Sequence, residues 1–124
     1  MGTNKIKTFK DLIAWKEGHL LVLEIYKITE NFPKSEIFGL TNQMRRAAVS
    51  ITSNIAEGFS RRTAKEKIQF YRTSLGSLTE IQNQLIVSKD LKYITNDLYE
   101  AIDQKTTIIH KLINGLVKSS KSYT

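Results

Sequence analysis

Cysteine is absent from this 124-residue chain, which excludes disulfides, thiolate zinc sites and a thiol nucleophile. The absence suits a reducing compartment, and a cytoplasmic location is the expectation. Proline occurs once and glycine six times, too few punctuating residues for a loop-rich β architecture. Long apolar runs are also missing. The longest aliphatic stretch, Leu20 to Leu23, is far short of the roughly 20 residues a membrane span needs. The opening MGTNKIKTFKD lacks the apolar core of a signal peptide. Histidine is scarce, and neither copy stands in the Glu-x-x-His pair that di-iron bundles use: Lys16 precedes His19 by three residues and Thr107 precedes His110. No metal or cofactor is therefore expected. Acid is under-represented, with 12 Asp and Glu against 19 Lys and Arg, for a net charge of +7.

What is present is helical periodicity. From Asp11 to about Glu30, Leu12, Trp15, Leu21, Val22, Ile25, Tyr26 and Ile28 cover more than half of a helix circumference at roughly 100° per residue. Either this helix is the most central or part of it meets another subunit. Asn31 to Lys34, with Pro33, breaks it. Ser35 is the expected N-cap of a second helix running to Glu57, although Gly39 weakens the first turn and favours a regular start near Leu40. Gly58 stands where a left-handed C-terminal residue belongs. Thr63-Ala64-Lys65-Glu66 reads as a capping box opening a third helix, with Phe70, Tyr71, Leu75, Leu78, Ile81 and Leu85 on its core face. The pattern stops between Lys89 and Ile94. Thr95 or Asn96 then caps a fourth helix striped by Leu98, Ile102, Ile109, Leu112 and Leu116. Residues 1–8 read as a loose arm and 118–124 as a frayed tail of a single domain. Four amphipathic helices with short connections make an all-α, antiparallel up-and-down four-helix bundle.

The second helix carries two stripes. Leu40, Met44, Ala47, Ala48, Ile51 and Ile55 form an apolar arc, and Gln43, Ser50, Asn54 and Glu57 a polar row beside it. The third helix carries a matching row of Thr73, Ser77, Glu80 and Gln84. If the two helices turn near Arg61, residues whose numbers sum to about 123 lie level. The rows are expected to face each other as a structural polar network, with Arg46 bonded to Glu80 or Glu57. Such a pair is costly unless fully matched, and breaking it by Glu80→Ala would cost a few kcal/mol. The alternative is that both rows face solvent.

These motifs resemble the 23S rRNA-intervening-sequence protein family. The likeness rests on Phe9-Lys10-Asp11-Leu12 with Trp15-Lys16, on Ile25-Tyr26 and Phe32-Pro33, and on Glu36 and Gly39-Leu40. It continues through Gln43, Arg45-Arg46-Ala47-Ala48, Ser50-Ile51 and Asn54-Ile55-Ala56-Glu57-Gly58, then Gly76-Ser77 and Glu80. Thr52 departs from it, where the family often places proline. The resemblance implies a four-helix bundle in a ring-like homopentamer and no known reaction, with RNA binding proposed for members. A similar pentameric basic bundle accompanies the reverse transcriptase of diversity-generating retroelements; it favours nucleic acid but transfers no residues.

No catalysis is expected. Glu57 and Glu80 lack an accompanying nucleophile, metal set or phosphate loop, and Ser50 and Ser77 have no histidine nearby. Between Arg45 and Arg72 lie seven basic and two acidic residues, +5 of the +7. Nucleic acid, rRNA among the candidates, is the partner such a patch suits. Arg61, Arg62, Lys65 and Lys67 at the turn are the expected phosphate contacts, Arg45 and Arg72 are auxiliary, and Arg46 is spent internally. No small-molecule substrate or membrane is implied. The rival readings are a protein-interaction scaffold, a passenger of the intervening sequence, and a solvated helix end with no role beyond solubility.

Overall fold

The computed structural model describes residues 5–122. Four helices follow in order: α1 Ile13–Thr29, α2 Leu40–Ser60, α3 Ala64–Asp90 and α4 Asn96–Lys121. Short 3-10 turns at Phe9–Asp11 and Lys34–Glu36 precede α1 and α2. The helices run alternately up and down, each against its neighbours in sequence, and α4 closes back on α1. The core is the sum of their apolar stripes, with Leu21, Ile25, Met44, Ile51, Ile55, Leu78, Ile81, Leu85, Ile102, Ile109 and Ile113 almost fully buried. Of the expected faces, Trp15, Leu40, Phe70, Leu75, Leu98, Leu112 and Leu116 are only half-buried, and Tyr26 is exposed.

The helix ends follow local chemistry with three departures from the expectation. Ser35 does not cap α2. Gly39 occupies the cap position without a side-chain bond, and the Glu36 carboxylate accepts from the Leu40 N–H at 3.0 Å instead. The same carboxylate accepts from the Tyr93 hydroxyl at 2.9 Å, tying the α1–α2 connection to the α3–α4 turn. Nor is Gly58 a left-handed cap: α2 continues through it to Ser60, and no described glycine has positive φ. Lastly, α4 stays helical through Lys121 with Ser120 buried, so Lys118 to Lys121 are ordered helix. Of the expected loose arm and tail, residues 1–4 and 123–124 lie outside the described residues.

The left-handed residue is Lys92, at φ 64°. It ends α3 with Lys92 N–H donating to Lys89 O and Tyr93 N–H to Ser88 O, both at 2.9 Å. This paired pattern is a Schellman closure holding a lysine where glycine is favoured.

Gly58 is instead a point of contact between α2 and α3. A Cβ built there would sit 2.7 Å from Tyr71 Cε1 and 2.9 Å from Cδ1. A Cβ on Gly76 would meet nothing within 4 Å. Gly58→Ala should therefore destabilise by about 1–3 kcal/mol, the usual cost of overpacking. Gly76→Ala should stabilise by about 0.5–1 kcal/mol, the helix-interior penalty of glycine removed. Urea denaturation of the two variants checks the pair, and shifts of the same sign would contradict this packing.

Candidate nucleic-acid interface

The α2–α3 hairpin positions the basic residues, so its seam sets the geometry. Small polar side chains fill that seam. Ser74 is fully buried and donates to Ile51 O across the interface at 2.7 Å. Ser50 and Ser77 share a hydrogen bond at 2.8 Å. Ser88 lies 3.5 Å from the Met44 sulfur while donating to Gln84 O. The facing pairs sum to between 125 and 132, so the register is offset from the expected 123.

This seam corrects the proposed ionic network. The rows do meet at Ser50 and Ser77, and Asn54 donates to Ser50 O at 2.8 Å. The charged members do not join them. Arg46, Glu57, Glu80, Gln43 and Thr73 are exposed, and among the described residues no ion pair links Arg46 to Glu80 or Glu57. Glu57 pairs with Arg61 one turn away at 2.7 Å. Gln43, Arg46, Ser50, Ser77 and Glu80 line a shallow surface hollow. The offset register and the short serines explain the outcome: backbones this close leave long side chains room only outside the seam. Gln84, expected on the shoulder, is buried.

The basic candidates separate into two groups. Arg45 is spent on packing. Its Nε donates to Thr29 Oγ1 at 2.9 Å, a terminal nitrogen donates to Tyr26 O at 3.3 Å, and the guanidinium lies 4.7 Å over the Tyr26 ring. It also sits about 24 Å along α2 from the turn, at roughly 1.5 Å per residue. Lys67 Nζ donates to Phe59 O at 2.8 Å and Gly58 O at 3.4 Å, neutralising the carbonyl end of α2. Burial pulls its ammonium below the usual lysine range. Arg61 bonds Glu57 and lies 4.7 Å over the Phe70 ring, with its Nε buried and unpartnered. Arg62, Lys65 and Arg72, by contrast, are exposed and have no ion pair among the described residues. Lys65 and Arg72 flank Ile68, Gln69 and Thr73 along one open side of α3.

Topology adds cations that lie outside the Arg45–Arg72 segment. An up-and-down bundle brings both termini to the end occupied by the α2–α3 turn. Dividing the molecule at its helix midpoints places residues 5–20, 51–76 and 109–122 in that half. It contains twelve basic and four acidic residues, against seven basic and eight acidic in the other. The net charge is therefore +8 at one end and −1 at the other. Lys5, Lys7, Lys10, Lys16, Lys111, Lys118 and Lys121 are the additions. The signal was available in the sequence once the helix directions were assigned.

The arm carrying Lys7 and Lys10 is anchored by Asp11, whose carboxylate accepts from Lys7 N–H at 2.9 Å and Thr8 N–H at 3.0 Å. These backbone bonds, Thr8 foremost, hold the carboxyl below its usual value of 3.8. His19 stacks on Trp15 at 4.9 Å, and the His110 ring pairs with Asn114 at 3.1 Å. Among the described residues no three His, Asp or Glu side chains cluster to hold a metal, and no helix is long and apolar enough to cross a membrane.

A family model described as 23S rRNA-intervening sequence protein matches residues 10–115. Among solved structures, one similar chain is a protein with unknown function from the S23 ribosomal protein family of Bacteroides thetaiotaomicron. It is 25% identical, with a TM-score of 0.76, over 86% of this chain and 99% of that one. No curated protein matches the chain.

Two outcomes follow from the geometry. Glu80→Ala should cost under about 0.5 kcal/mol in urea denaturation, as for an exposed group without a buried partner; a destabilisation of several kcal/mol would restore the internal pair. The Asp11 clamp is complete above pH 3.8 and is lost as pH falls through the lowered folded value. In an NMR titration the Lys7 and Thr8 amides should shift together with the Asp11 carboxyl below pH 3.8, and a midpoint at or above it would show no clamp.

Proposed function

The chain belongs to the 23S rRNA-intervening sequence protein family, and on that basis we propose that it is a non-enzymatic, cytoplasmic RNA-binding protein that grips phosphates with the basic end of its bundle. The observation that carries this reading is the segregation of the whole net charge at one end, where Arg62, Lys65 and Arg72 stand exposed with no ion pair among the described residues. A polyanion recovers counterion-release free energy from such a surface, and arginine adds planar geometry for phosphate oxygens. The terminal lysines extend the same field. Arg61 and Lys67 support it from below by fixing the α2 terminus. Such contacts position a nucleic acid and read little sequence.

The proposed assembly is a ring of identical subunits, a homopentamer as the family resemblance implies. It is supported by α1, whose outer side exposes Ile13, Leu20 and Leu23 at 54–63%. Three large aliphatics at helical spacing on one exposed face match an interface core more closely than a solvated surface. A ring would repeat the basic end around its axis and sum modest contacts through avidity.

Replacing Arg62, Lys65 and Arg72 together by alanine should leave the fold intact and weaken binding to a labelled single-stranded RNA. The slope of log affinity on log salt should fall by about 2, at roughly 0.7 for each phosphate that is no longer neutralised. Unchanged affinity and slope in low salt would rule out this surface. For the assembly, Leu20→Asp with Leu23→Asp should convert the sedimenting species to a monomer, whereas a monomeric parent protein would reject the ring.

A further inference from the structure

The basic end also holds a hollow that phosphate binding leaves unused. Ile6, Leu12, Phe59 and Leu116, with Lys67 beside them, line an open hollow of about 260 Å³ where the start of α1, the end of α2 and the end of α4 converge. Its lining is mostly apolar. Tyr71 from α3 contributes the wall opposite α4 and is 3% exposed. Its hydroxyl has no hydrogen-bond partner among the described residues, although burial raises its pKa and keeps it a neutral donor. The hydroxyl is not one of the buried, unpartnered polar atoms, which are Arg61 Nε and Gln84 Oε1, so it opens on the hollow and is available to a group entering it. Ser119, exposed on α4, forms the rim, and its hydroxyl donates to Leu116 O, leaving lone pairs free to accept.

We infer that this cavity receives a single unpaired nucleobase, making the basic end a reader of single-stranded rather than duplex RNA. The inference rests on the phosphate-binding reading above and adds the strand class. Three features meet here: an apolar slot, a hydroxyl opening on it that no described residue bonds, and a surrounding field of lysines and arginines. A flat heterocycle with polar edges attached to a phosphate chain matches all three. The volume falls just under the roughly 300–1,000 Å³ of drug-sized sites, which suits one ring system and excludes an extended ligand. A duplex keeps its bases stacked inside and can offer the slot nothing, so only the phosphate attraction remains for it.

The test measures anisotropy of a labelled single-stranded RNA and of its duplex, at one salt concentration, with three proteins. The parent should prefer the single strand by about tenfold, the scale of one buried base. Ser119→Trp, which fills the slot from an exposed rim position, should abolish that preference while leaving duplex affinity unchanged. Tyr71→Phe keeps the ring that packs on Gly58 and should reduce only single-strand affinity, by a few fold. Equal affinities in the parent, or a preference that survives Ser119→Trp, would overturn the base slot while the phosphate reading stands. Failure to bind either RNA would overturn both.

Discussion

The close approach of α2 and α3 is the constraint on which the other features depend. Serines at 50, 74, 77 and 88 and the glycine at 58 occupy the seam, and none is large enough to hold the helices apart. Ser74 reaches a backbone carbonyl of the facing helix, a bond only a short side chain at short separation can make. Buried hydroxyls of this kind are tolerated because each finds a partner. The seam fixes the register of the hairpin, and the register fixes which cations reach the surface at its turn.

Charge segregation follows from connectivity more than from local pattern. Helices joined by short turns place residues 5–20, 51–76 and 109–122 together, although they are far apart in the chain. Acidic residues gather at the opposite end, where Glu36 is enlisted to cap α2 and hold Tyr93. That carboxylate braces two connections at one end while the other accumulates most of the cations. The result is a molecule with a dipolar layout, suited to meeting a polyanion end-on.

Arg46 marks the limit of what periodicity can assign. Helical spacing correctly puts Gln43, Ser50, Asn54 and Glu57 on one edge, and Ser77 and Glu80 on another. It assigns a side chain to an edge but not to a depth. Ser50 and Ser77, with Asn54 bonded to Ser50, lie deep enough to be part of the seam, and Gln84 is buried; Arg46 and Glu80 border the same hollow from outside. The basic residues divide for a similar reason. Arg45, Arg61 and Lys67 find aromatic rings or carbonyls within reach, whereas Arg62, Lys65 and Arg72 are exposed, with no ion pair among the described residues.

Sequence alone determined the four helices, their order, their core stripes and the likeness to a family, because amphipathic period and short breaks are local properties. It located the cationic turn for the same reason. The register of α2 against α3, the role of Gly58, the gathering of terminal lysines and the slot beneath Tyr71 were decided only in three dimensions. Each depends on the distance between segments remote in the chain, and that distance is set by how closely small side chains let two backbones approach.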